Sequence, residues 1–177
     1  MNLTQVNALT LEQFVACFGG VFEYSPWVAA EACSAGPFAT PDALHAAMME
    51  AVKSAARDRQ LALLRAHPEL AGQEAQAGGL TPDSATEQGR LGFTALTHAE
   101  FEKVARINLA YREKFGFPCI VALRLHATRA TVIAEMERRI GNAVDTEIAA
   151  ALGQIERISR GRLEALVETM DGARPDG

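Results

Sequence analysis

With 177 residues, 49% of them hydrophobic, the chain has apolar material for one core of domain size and little for a second. Its 17 basic and 22 acidic side chains give a formal charge of −5, which opposes a partner held by a basic surface, such as nucleic acid or an anionic membrane. The longest apolar runs fall far short of the roughly 20 residues that a membrane span needs.

The first residues show no basic stretch followed by an apolar one, and the last three are not a peroxisomal tripeptide, so a cytoplasmic protein is expected. Cys17, Cys33 and Cys119 are odd in number and widely separated, as expected of reduced thiols rather than of a disulfide framework or a zinc site.

In chain order, Thr10 with Gln13 forms a capping-box pattern ahead of Phe14 and Val15, and Ser25-Pro26 opens a second helix before Trp27. Thr40-Pro41 precedes Leu44, Ala47, Met48, Ala51 and Val52, which recur at steps of three and four and predict an amphipathic helix with His45 on its surface. Leu61 and Leu64 continue helical spacing until Pro68, whose fixed φ and missing N–H place His67 at a helix end.

The polar, glycine-rich stretch 73–79 reads as a surface loop, after which a helix begins near Thr81-Pro82-Asp83-Ser84. Thr97 and Glu100 form another capping box, followed by a face of Phe101, Val104, Asn108, Tyr111 and Phe115 that Gly116 terminates. Cys119-Ile120-Val121-Ala122-Leu123 is too short for an ordinary helix and predicts a buried extended segment whose backbone must find partners inside. A helix over 128–140 and a long last helix from Asp145 follow, the latter with Ile148, Ala151, Leu152, Ile155, Ile158, Leu163 and Leu166 inward.

The expected fold is therefore all-α, a single-domain bundle of about eight helices over residues 1–170, with 171–177 a disordered tail.

Three places could carry chemistry. His67 could donate or accept a proton near neutrality, or be a capping or core histidine. Ser84 and Glu87 could be another capping box, or could place a carboxylate and a polar edge, shared with Gln88 one turn on from Ser84, beside a ligand. Arg162, inside the apolar stripe of the last helix, could snorkel outward, pair with a buried acid or bind a substrate anion. The four histidines lack metal-ligand spacing, so no metal is expected.

Three stretches in order carry a family resemblance. These are Leu64-Arg65-Ala66-His67-Pro68-Glu69-Leu70, Leu80-Thr81-Pro82-Asp83-Ser84-Ala85-Thr86-Glu87-Gln88, and Asn108-Leu109-Ala110-Tyr111-Arg112-Glu113-Lys114-Phe115-Gly116-Phe117-Pro118. Together they resemble the 2-oxo-4-hydroxy-4-carboxy-5-ureidoimidazoline (OHCU) decarboxylases of urate breakdown, which form (S)-allantoin without a cofactor.

The resemblance implies a general acid at His67 and a partner carboxylate at Glu87. It implies substrate contacts from Pro68, Ser84, Gln88, the main chain of Cys119, Ile120, Val121, Ala122 and Leu123, and Arg162. Cys119 departs from the family, which more often has phenylalanine after Phe117-Pro118, so the pocket wall is expected to be reshaped. A homodimer and functional proximity to urate oxidase and hydroxyisourate hydrolase are also implied. The competing readings are a non-enzymatic helical interaction module and a decarboxylase of the same fold acting on a related heterocycle.

Overall fold

The computed structural model describes residues 1–72, 75 and 77–167, and among them it is all-α. Among the described residues the helices with defined bounds are α1 Leu3–Asn7, α2 Leu11–Phe18, α3 Trp27–Cys33, α4 Pro41–Ser54, α5 Arg57–Arg65, α6 Pro82–Arg90, α7 His98–Phe115, α8 Arg129–Ile140 and α9 Val144–Leu166, with a 3-10 turn at Leu123–Leu125. None of the described helices is long and apolar enough to cross a membrane. The expected boundary at 170 and the tail 171–177 lie outside the described residues. Within the 73–79 stretch, expected as loop, residues 75 and 77 are helical, and 73, 74 and 76 lie outside the described residues.

The described residues divide into two compact units, 1–60 with 159–167, and those within 61–158. In the first unit α2 packs on α3 and α3 on α4, burying Phe14, Phe18, Phe22, Val28, Leu44, Met48 and Val52. The Thr10 capping box forms with Gln13, and Thr40 caps α4 by accepting from the Ala43 N–H. Ser25, in contrast, caps nothing with its side chain, and α3 opens at Pro26 without a side-chain bond.

His45 is not on the surface of α4. It is 5% exposed and its Nε2 lies 2.9 Å from Ser159 Oγ. One turn before Met49 and two before Val52, it lies on the buried face of the helix. Arg162 is also buried in this unit, where its Nη1 donates to Glu23 Oε2 at 2.5 Å, the acid partner that a cation in an apolar stripe requires. At the end of α9 the inward residue is Val167, whereas Leu166 is 43% exposed.

The second unit holds α6, α7 and α8 with the first part of α9. α7 packs on α8, and α6 packs on the 3-10 turn. Thr97 and Glu100 form the expected box at the start of α7, and Gly116 ends that helix at φ 74, a left-handed conformation that glycine adopts without a Cβ penalty. Tyr111, Phe115 and Phe117 form an aromatic cluster with ring centroids 4.6 to 6.0 Å apart. Beside it lies a fully buried ion pair: Arg139 Nε donates to Glu147 Oε1 at 2.9 Å, and both side chains are 0% exposed.

Candidate active site

Thr81, and not Ser84, caps α6: its hydroxyl accepts from the Ser84 N–H, and Pro82 occupies the first turn where its missing N–H costs nothing. The Ser84–Glu87 pair is therefore not a capping box. Displaced into the first turns of the helix, Ser84, Glu87 and Gln88 share the face turned toward two irregular segments, 67–71 and 119–123. These three elements enclose a recess lined by His67, Pro68, Leu70, Ser84, Glu87, Gln88, Cys119, Ile120, Val121 and Leu123.

All but two of the lining residues are buried; His67 and Glu87 are half-buried and so stand where the recess opens. Its free space is about 20 Å³, room for about one water, so a ring-sized ligand would fit only with lining side chains rotated aside. Of the expected site residues, Ala122 and Arg162 are not in the lining. The Ala122 N–H instead donates to Gln154 Oε1 at 2.8 Å, and the substrate contact for Arg162 rests on the resemblance alone.

Neither irregular segment has a strand to satisfy its backbone, and helix side chains take that role. On the first, the Gln88 amide accepts from the Ala71 N–H at 3.0 Å and donates to the Glu69 carbonyl at 3.3 Å. Asn108 of α7 donates to the Leu70 carbonyl at 2.9 Å, and Arg112 pairs with the Glu69 carboxylate. These bonds hold Ala71 at φ 52, a left-handed conformation that costs a non-glycine residue roughly 1–2 kcal/mol. Gln88 is thus a positioning residue for the His67-Pro68 turn as well as part of the recess.

On the second segment, Arg139 Nη1 donates to the Ile120 carbonyl at 2.6 Å, Gln154 holds Ala122, and Arg90 donates to the Leu123 carbonyl. The N–H groups of Ile120 and Val121 have no such partner among the described residues, which leaves two adjacent main-chain donors beside the recess.

Asn108, Arg139, Gln154 and Arg90 were not expected as site features, and Gln88, expected as a substrate contact, also serves as a pin. A signal existed for one of them: Arg139 follows Val132 and Met136 by seven and three residues, in the apolar stripe of α8, just as Arg162 does in α9.

Electrostatics separates the groups that can exchange protons from those that cannot. Burial pushes the Cys119 thiol up to about 12, against the opposing charge of Arg139, so at neutral pH it is a protonated part of the wall and not a nucleophile. Tyr111 is pushed well above the ordinary phenol range by burial, with further upward contributions from Cys119 and from its bond to Glu147. Burial opposes the charge on Arg139, yet the hydrogen-bonded carboxylate of Glu147 outweighs it, and the guanidinium is held more firmly charged than usual.

A histidine and a carboxylate at the mouth of a recess whose walls offer a serine, an amide and free main-chain donors can hold a polar heterocycle and deliver a proton to one face of it.

The family model described as OHCU decarboxylase matches residues 7–164. The chain belongs to the OHCU decarboxylase family. A 2-oxo-4-hydroxy-4-carboxy-5-ureidoimidazoline decarboxylase from Haloferax volcanii is 40% identical over 163 residues, covering 92% of this chain and 94% of that protein. The protein of the same name from Mus musculus is 36% identical over 167 residues, with 94% and 93% covered. A crystal structure of (S)-allantoin synthase matches with TM-score 0.73 and 30% identity over 96% of this chain, which spans 55% of the length of that one.

For this family member, Gln88→Leu is expected to lose about 1–3 kcal/mol, because the buried Ala71 N–H and Glu69 carbonyl lose their partner. Its KM should rise as the His67-Pro68 turn loosens. Urea denaturation and steady-state kinetics on the same preparation check both.

Proposed function

We propose that this chain decarboxylates 2-oxo-4-hydroxy-4-carboxy-5-ureidoimidazoline to (S)-allantoin in urate degradation, with no cofactor. The observation that carries this reading is that His67 and Glu87, both half-buried, line one otherwise buried recess, within a family whose relatives carry that name.

The bond that breaks joins the carboxylate carbon to the ring carbon bearing the hydroxyl. As CO2 leaves, the electron pair spreads into the conjugated ring, so the protein has to orient the substrate and supply a proton. Ser84, the second N–H of the Gln88 amide and the Ile120 and Val121 N–H groups hold the polar ring edge. The carboxylate turned toward Leu70 loses hydration that neutral CO2 does not need, which favours its departure. Protonated His67, stabilised by Glu87, delivers the proton to one face of the ring and sets the (S) centre. Pro68 fixes the turn that carries His67.

A cytoplasmic homodimer working close to the enzymes that make the substrate belongs to the same reading. Its support is the instability of the substrate, which favours short diffusion paths. The test generates the substrate in situ with urate oxidase and hydroxyisourate hydrolase and follows circular dichroism. The expected result is decay well above the spontaneous rate, with (S)-allantoin as the sole enantiomer; decay at the spontaneous rate to racemic product would reject the reading.

A further inference from the structure

A second, larger cavity of about 340 Å³ meets the recess at His67 and Pro68, which line both. Two guanidinium groups face it, Arg65 from the end of α5 and Arg112 from α7. Each is fixed in place by a bond that keeps its charge: Arg65 Nε donates to the Gly116 carbonyl at 3.1 Å, and Arg112 pairs with Glu69. Arg65 makes no ion pair among the described residues. With one carboxylate, Glu69, against two guanidinium groups, the lining carries a net positive charge even with His67 neutral, in a chain of formal charge −5. Phe117 and Pro118 supply an apolar wall.

We propose that this cavity is a carboxylate-receiving antechamber, in which Arg65, assisted by Arg112, captures the anionic substrate before its ring passes His67 into the recess. The identity of the ligand rests on the decarboxylase reading. The room is in the right place: the recess holds about one water, whereas the outer cavity accommodates a small carboxylated ureide.

The charge also gives the site a direction. Decarboxylation removes the group that Arg65 recognises, so the neutral product has no electrostatic hold on the exit path, and the antechamber favours substrate over product. Localised positive charge at a cavity mouth raises the local concentration of an anion and speeds its capture, with an effect that salt weakens.

Arg65 is exposed, so its replacement leaves the core intact. The experiment titrates wild type, Arg65→Gln and Arg65→Lys with N-carbamoylglycinate, an anion carrying both a ureido and a carboxylate group, and with its uncharged amide. It uses calorimetry at low ionic strength and again at about 0.15 M, where the screening length has fallen to about 8 Å. Wild type is expected to prefer the anion. Arg65→Gln should reduce that preference about fivefold, the upper range for an exposed charge pair. Arg65→Lys should retain most of it, and salt should erode it in wild type.

An equal preference in wild type and Arg65→Gln, no detectable preference for the anion, or a loss in Arg65→Lys as large as in Arg65→Gln would overturn the proposal. The last outcome would assign the effect to the Gly116 hydrogen bond instead of the charge. These readouts need no turnover, so they stand apart from the substrate-decay assay that tests the reaction itself.

Discussion

Replacing His67 by alanine is expected to lower turnover of the ureidoimidazoline about 10²- to 10⁴-fold, the range typical for a general acid, while leaving the fold intact. The side chain is half-buried at the mouth of the recess, and the bonds that hold its turn are made by Glu69, Leu70 and Ala71 with Gln88 and Asn108. Its removal therefore deletes a proton donor and leaves those three bonds in place. Residual product should also lose its handedness, because water then protonates the delocalised intermediate from either face.

Glu87→Gln keeps the shape of the partner and removes its charge, so it should lower kcat by a smaller factor than His67→Ala. Combining the two should cost little more than His67→Ala alone, since groups acting as one unit are not additive. Circular dichroism of the forming allantoin reports rate and stereochemistry together. Near-native turnover by His67→Ala with (S) product would remove the acid assignment.

What could be read from the sequence was what a few neighbouring residues decide. The capping boxes at Thr10 and Thr97, the Thr40 cap and the left-handed stop at Gly116 each depend on contacts within about one helical turn, and each formed as its spacing implied. Ser84 shows how a local pattern fails when two candidates compete: Thr81 lies three residues earlier with proline after it, and taking the cap there moves Ser84 into the helix.

Six of the recess residues, His67, Pro68, Leu70, Ser84, Glu87 and Gln88, fall within the first two stretches of the joint motif, and the other four follow directly on the third. The supports of the site were not legible. Gln88 to Ala71, Asn108 to Leu70, Arg90 to Leu123 and Arg139 to Ile120 join segments whose proximity is created by the tertiary fold. Composition cannot say which amide or guanidinium will meet which carbonyl. The extended segment 119–123 illustrates both halves. Its length and apolar character predicted burial without an α-helix, which holds for 119–122 while Leu123 begins the 3-10 turn, and the need for backbone partners was clear, but that those partners are side chains from α6, α8 and α9 is decided by the tertiary fold.

The largest effect on stability is expected from Arg139→Met. Its guanidinium meets Glu147, the Tyr111 hydroxyl at 3.4 Å and the Ile120 carbonyl, all in a region from which water is excluded. Removing the cation strands a buried carboxylate and a buried carbonyl. Breaking one side of such a pair costs about 3–5 kcal/mol, a large share of the roughly 5–15 kcal/mol that holds a domain together. Thermal denaturation should show a fall of roughly 10 °C or more for a chain of this size.

The pair does two jobs that the double variant Arg139→Met/Glu147→Leu can separate. With both charges gone the desolvation cost of an unpaired ion disappears, and much of the lost stability should return, because apolar replacements of a buried pair are often neutral or better. The Ile120 carbonyl is still released, however, so the main-chain donors of Ile120 and Val121 lose their fixed position beside the recess. The double variant should therefore be folded, with near-native melting and a KM raised severalfold at little change in kcat. Full recovery of both stability and KM would show that Arg139 serves packing alone. Recovered stability with weakened substrate binding would place the buried ion pair among the positioning elements of the active site, as the reason a fully desolvated arginine sits behind its wall.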